Sequence, residues 1–331
     1  MNKLISNSLE ILFSLFIVCG LLFIAFYVKP TATVAKYEPT LFGYRDNYYS
    51  VASPLADGSV IWAVGNKGKI IRSDDSGTTW RIQESPTTSH LQDIAIWDEK
   101  SAIVAGDLAS VLITDDAGKN WTPVEISVYQ FGDQLLQVYI DHDKQQAWIS
   151  GTMGGVLKSD DRGKTWQLTH EEEDVAWNDI EVDRRGQVWV AGEFGRLQRS
   201  ADDGATWEEI EVPTTGSSLM AITFADEVHG VAVGLSGSIM QTENGGDKWT
   251  VVEDVTDAHL FDINWDGQQY VAVGNNGILA YGSLDGSEWQ VKKIHPDNSG
   301  WYTSIIPVGT SYFIAGVNMG VLNGTDWKVF Q

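Results

Sequence analysis

Four sets of residues in this chain have the types and spacing to do chemistry. Adjacent aspartates at Asp74-Asp75 and Asp160-Asp161 carry charge enough for a divalent cation. No further oxygen ligands follow at the spacing calcium requires, so these pairs read as turn residues and no metal is expected. Closely spaced glycines such as Gly192/Gly195, Gly234/Gly237 and Gly274/Gly277 have the composition of a phosphate cradle. No helix follows them to supply oriented amides, and they suit hairpins that need positive φ, so no cofactor is expected. Four of the six histidines, His90, His170, His259 and His295, fall in separate connections, a poor basis for a shared metal. The fourth set is basic: half of the eight arginines are Arg184, Arg185, Arg196 and Arg199, a local stripe able to dock an acidic partner segment. No catalytic residue is assigned.

The elements that must position these residues are repeats. Trp80, Trp121, Trp166, Trp207, Trp249, Trp289 and Trp327 stand 41, 45, 41, 42, 40 and 38 residues apart. Five of them end one phrase, Ser/Thr-x-Asp-x-Gly-x-Thr-Trp. Its marks are Ser73, Asp75, Gly77 and Trp80; Thr114, Asp116, Gly118 and Trp121; Ser159, Asp161, Gly163 and Trp166; Ser200, Asp202, Gly204 and Trp207; and Thr242, Asn244, Gly246 and Trp249. The phrase degenerates in the sixth and seventh units, at Ser283-Leu284-Asp285-Gly286 and Asn323-Gly324-Thr325-Asp326. Each unit holds four apolar runs split by Gly and Asp turns. Second strands align at Ile61–Gly65, 103–106, 148–151, Val188–Gly192, 231–234, Tyr270–Gly274 and 313–316. A period near forty with this content predicts an all-β, seven-bladed β-propeller of four-stranded antiparallel blades over residues 48–331. Residues 31–47 are expected to be a linker with a short strand at 41–44.

Within the phrase, Ser73 and Asp75 are expected to bond turn backbone, Gly77 to take positive φ, and Trp80 to bury its ring while its indole N–H meets a carbonyl. The phrase joins third and fourth strands. The opposite face then carries Glu193, Phe194 and the blade connections, including Phe131, Trp177, Trp301 and Tyr302. Aromatic residues beside acids suit a protein interface, and these are candidate partner-binding residues together with the four arginines.

The charge balance of 22 basic against 45 acidic residues gives −23, which argues against nucleic acid and anionic lipid as partners. Residues 11–28 are almost wholly apolar, and eighteen helical residues span roughly 27 Å, so residues 1–30 are expected to be an uncleaved signal-anchor. The expected location is the bacterial inner membrane, single-pass, with the propeller in the periplasm. No cysteine follows Cys19, so no disulfide can form within residues 48–331.

The phrase is the Asp-box, or BNR repeat. Units such as Trp62-Ala63-Val64-Gly65-Asn66-Lys67-Gly68-Lys69-Ile70-Ile71-Arg72-Ser73 running into the box resemble photosystem II stability/assembly factor proteins and their non-photosynthetic bacterial relatives. That resemblance implies a seven-bladed, non-catalytic chaperone that holds membrane-protein subunits through a patch of arginines. Here it implies an integral membrane protein or membrane complex as partner, with blade four's arginines the nearest match. Two other readings stand beside it. One is a glycoside hydrolase of sialidase or glucanase type, although the Phe/Tyr-Arg-Ile-Pro segment of sialidases is missing and the arginines cluster in one unit. The other is a passive carbohydrate- or peptide-binding propeller.

Overall fold

The computed structural model describes residues 15–20, 23, 40–54, 57–127, 134–213 and 216–331. The chain divides into two units, Met1–Thr40 and Leu41–Gln331. In the first, residues 15–20 are helical. No helix among the described residues is long and apolar enough to cross a membrane. The anchor expected over residues 1–30 falls mostly outside the described residues.

The second unit is a seven-bladed β-propeller. Seven antiparallel sheets, each of four strands consecutive in sequence, span residues 48–83, 91–124, 135–168, 177–210, 219–251, 260–293 and 302–329. The first strand of each blade is innermost and packs on the first strands of both neighbours, including the last blade on the first. Because the sheets exchange no strand, packing and side-chain bonds close the ring. Thr303 Oγ1 donates to Tyr49 O at 2.9 Å, and Val51 N donates to Ser304 Oγ at 3.2 Å. Phe42, Trp80, Phe313 and Phe330 fill the seam, with Trp80 and Phe330 centroids 5.2 Å apart. Residues 41–44 form turns, not the expected short strand. Asp46 folds them back by accepting from Gly43 N at 2.6 Å, which frees Phe42 to enter the seam.

The core is likewise divided, with one apolar cluster between each pair of adjacent blades. Second strands are buried on both faces, hence their continuous apolar runs. Trp62, Trp148 and Trp189 are fully buried at one register position of that strand. At about 25 cal/mol/Å² over roughly 200 Å², each ring contributes about 5 kcal/mol at most.

The Asp-boxes form as expected. The Ser or Thr hydroxyl accepts from the glycine N–H at 2.8–3.0 Å in the first five boxes. The Asp or Asn oxygen accepts from the N–H four residues on at 2.7–2.9 Å. Indole N–H groups of Trp80, Trp166 and Trp207 reach carbonyls, and Trp121 instead donates to Gln83 Oε1 at 3.1 Å. Trp249 Nε1 has no partner among the described residues. Blade six is less degenerate than its sequence implies. A shortened box survives, with Ser287 N on Asp285 Oδ1 at 3.1 Å and Trp289 Nε1 on Gly286 O at 2.7 Å.

The boxes staple blades together as well as finishing their own. The α-carbons of Gly118, Gly163, Gly204, Gly246 and Gly286 press on residues of the preceding blade, and Gly77 presses on Phe313 and Phe330 across the closure.

Candidate partner-binding surface

The face opposite the boxes is built from two devices. The first is a β-bulge in every inner strand, where register slips between the first and third residues. The extra residues, Tyr49, Gln92, Leu136, Asn178, Met220, Phe261 and Thr303, ring the central channel. The void there is only about 160 Å³, well below the roughly 300 Å³ that small-molecule sites begin at.

One residue deeper lie Asp93, Asp179 and Asp262. Each ties its blade to the next. Asp93 Oδ2 accepts from Val138 N at 2.8 Å, Asp179 Oδ2 from Ile222 N at 2.7 Å, and Asp262 Oδ2 from Ile305 N at 2.7 Å. Burial pushes Asp179 and Asp262 up to about 7, and raises Asp93, against the pull of those amides. Glu181, on the same strand as Asp179, is pushed by burial to about 8. No arginine lines the channel, so the cluster a sialidase needs around its substrate carboxylate is not formed there. No group of three or more His, Cys, Asp or Glu among the described residues could hold a metal.

The second device is the hairpin between second and third strands. In blades one to six it is a type I′ turn, with φ of +55° to +60° at Lys67, Leu108, Met153, Phe194, Ser236 and Asn276. Asn and Gly suit that conformation, whereas large side chains are strained in it. Blades two, three and four nevertheless place Leu108, Met153 and Phe194 there, 68%, 44% and 63% exposed. Against the Met153 turn runs an acidic strap, residues 171–174, held by Glu173 N donating to Met153 O at 3.2 Å. Glu171, Glu172 and Asp174 of that strap are exposed.

The expected interface residues divide. Phe194 is exposed, and Glu193 folds back to accept from Ala176 N at 2.9 Å. Trp301 is half-buried and stacks on Tyr49 at 6.1 Å. Trp177 and Tyr302, expected on the surface, are wholly buried as the first residues of their inner strands. Equivalent residues Tyr48, Leu91, Leu135, Leu219 and Leu260 are buried as well, a repeat signal that would have found them. Phe131 lies outside the described residues.

Blade four's arginines are not gathered into one patch. Arg196 sits at this face, stacked 5.0 Å over Trp177 and bonded to Glu209 at 2.6 Å and Glu173 at 2.8 Å. Those carboxylates, Glu209 foremost, raise its already high pKa. Arg199 lies three residues further on, about 10 Å along the strand and at the Asp-box end. There it pairs with Asp247 of blade five at 2.7 Å and Glu208 at 2.9 Å. Arg185 bonds Asp183 at 2.9 Å and reaches Gly245 O of the same box. Arg184 is exposed in that hairpin.

The family model described as photosynthesis system II assembly factor YCF48 matches residues 78–172 and 200–326, about two thirds of the chain. The chain belongs to the YCF48 family. No curated protein sequence matches it. Among solved structures it is similar to YCF48 bound to a D1 peptide, at 17% identity and TM-score 0.67, over 85% of this chain and 94% of that one. It is equally similar to YCF48 from Cyanidioschyzon merolae, at 16% identity and TM-score 0.67, over 84% and 94%. At these identities the two structures establish a shared fold. This YCF48-family ring keeps the propeller while engaging three of its blade-four arginines in ion pairs of its own.

Proposed function

We propose that the protein is a non-catalytic propeller scaffold, tethered by its N-terminal apolar segment, that assists the assembly or operation of a membrane-protein complex on the extracytoplasmic side. The observation that carries this reading is the strained, exposed apolar set Leu108, Met153 and Phe194, with an acidic strap against the Met153 turn. A fold selected for stability alone would place Asn or Gly at those tips. The surface suits an apolar segment with basic flanks, presented by an integral membrane protein. Family membership and the D1-peptide complex of a structural neighbour support a polypeptide as the ligand class. The apolar run at residues 11–28 supports the tether, which would raise the local concentration of any membrane partner. A channel too small for a sugar ring chain, with carboxylates committed to backbone amides, supports the absence of catalysis.

The test exploits the turn. Leu108→Asn, Met153→Asn and Phe194→Asn together keep the I′ conformation, so melting temperature is expected to hold or rise by a degree or two. Crosslinked membranes should yield a defined integral membrane partner with the wild type, and at least about tenfold less of it with the triple variant. A partner recovered equally well with both proteins, or no partner with either, would remove this reading. Turnover of sialosides or β-glucans would replace it with the hydrolase.

A further inference from the structure

Six of the seven seams between blades are closed by an Asp-box turn from the next blade, and one is not. Gly324, in the two-residue turn that replaces the box of blade seven, has φ +61° and no atom within 4 Å of where a Cβ would stand. The seat it fails to fill remains as a groove of about 950 Å³ between blades six and seven, lined by Gln269, Tyr281, Glu288, Lys292, Tyr312 and Gly324 among others.

The filled seat on blade three shows what such a place holds. Gly204 of the blade-four box lies against Trp148, with its Cβ position 2.9 Å from the ring. Asp203, beside that glycine, takes an ion pair from Lys158 and a hydrogen bond from Gln146 at 3.1 Å. Lys158 also stands 5.5 Å over the Trp148 ring and is shared with Asp160 of its own blade at 3.3 Å. Blade four repeats the scheme, with Arg199 over Trp189 and paired to Asp247 of the next box.

Blade six presents comparable donors without a box carboxylate from the next blade. By sheet register Gln269 occupies the place of Gln146, and Tyr281 that of Lys158. The cation comes instead from the fourth strand, where Lys292 lies 5.2 Å over the Tyr281 ring. Glu288 of the same blade lines the rim. Among the described residues no carboxylate is ion-paired with Lys292. The side-chain amide of Gln269 meanwhile donates over long distances, to Asp266 Oδ2 at 3.3 Å and Tyr312 Oη at 3.4 Å.

We propose that this groove is a docking seat for a tight turn of a partner polypeptide carrying an acidic residue beside glycine, a box supplied in trans. The turn's glycine backbone rests on the Tyr281 ridge while its carboxylate takes Lys292 and Gln269. The site lies at the Asp-box end, away from Leu108, Met153 and Phe194, and stands independently of the function proposed for that face.

The probe is a disulfide-cyclised peptide reproducing residues 200–207, titrated into the full chain by NMR or fluorescence polarisation. Saturable binding is expected, about tenfold weaker for Lys292→Glu, for Gln269→Ala, and for a peptide with asparagine at the Asp203 place. Phe194→Asn should leave it unchanged. In a second arm, residues 323–326 are replaced by the sequence of 200–206, so that Trp327 completes a box in cis. That graft should raise the melting temperature and abolish peptide binding. Absence of binding to the wild type, binding indifferent to Lys292→Glu, or a graft that lowers stability would each overturn the proposal. So would an oligosaccharide that occupies the groove where the peptide does not.

Discussion

Gly246→Ala is expected to cost about 4 kcal/mol of stability, whereas Gly324→Ala costs about 1 kcal/mol. Both glycines have positive φ, +85° and +61°, so both substitutions incur the strain of a left-handed alanine. They differ in what the new methyl meets. At Gly246 it would lie 2.2 Å from Cη2 of Trp189 and 2.5 Å from Cζ2. That ring cannot retreat. It is fully buried, its N–H is bonded to Asp183 Oδ2 at 3.0 Å, and Phe224 and Trp249 pack on it at 5.2 and 6.1 Å. At Gly324 the methyl would point into open space. Denaturant midpoints with unchanged slope would measure both losses. Equal losses would mean that box glycines serve only their own turns, and the stapling of blade to blade would fall with that result. Gly286→Ala should rank between them, because its methyl would meet Val231 Cγ2 at 2.8 Å and Gln241 Cβ at 3.1 Å rather than an immobile ring at 2.2 Å.

What the sequence made legible is what repeats with period forty. The tryptophans, the box residues and the second strands stood out because each obeys the same local rule in unit after unit. Hairpins needing positive φ were legible for the same reason where glycine pairs mark them, as at Gly192/Gly195, but not in blade two, where Leu108 and Ala109 take that conformation. Features belonging to one blade's relation with the next were not. Trp177 and Tyr302 look like exposed aromatics when each connection is read alone, yet each opens an inner strand at a position that is always buried. Asp93, Asp179 and Asp262 alternate with apolar residues as solvent-facing residues would. They face instead a channel too narrow to hydrate them freely, and find their partners on the neighbouring strand. Blade four's arginines form a stripe in sequence, but a strand that crosses the disc sends Arg196 and Arg199 to opposite ends. The loss of a box at residues 323–326 was visible. Its consequence, an unfilled seat on blade six, requires the geometry of two blades at once.

Glu181→Gln is expected to leave stability nearly unchanged at pH 5 and to raise it by about 2–4 kcal/mol at pH 8.5. In the unfolded chain a glutamate ionises near 4.3. In the ring, burial holds Glu181 protonated up to about 8, with the charges of Asp179 and Asp183 adding to the effect and the Phe224 amide opposing it. Between those values the folded state binds more protons than the unfolded one, so stability falls as pH rises from about 4.5 through 8 and levels off above. Asp179 and Asp262, both near 7, act in the same direction over a narrower window. The boxes act oppositely. The Thr79 amide beside Asp75, the Asn120 side chain beside Asp116 and the Thr206 hydroxyl beside Asp202 hold those carboxyls below the usual range. Their stabilisation is present above pH 4 and is lost in more acid solution. The two sets thus oppose one another, the boxes losing their contribution in acid and the inner-strand carboxyls losing theirs as pH rises. Glutamine isolates the Glu181 contribution cleanly, because only Oε1 is used, accepting from Phe224 N at 3.0 Å and Thr223 Oγ1 at 3.4 Å. An amide keeps that acceptor and has no charge to desolvate. Urea denaturation of both proteins at half-unit steps from pH 4.5 to 9 would measure it, the wild type losing stability across the range and the variant losing less. Parallel profiles would show that Glu181 ionises normally in the folded ring, through the part of its side chain that solvent reaches.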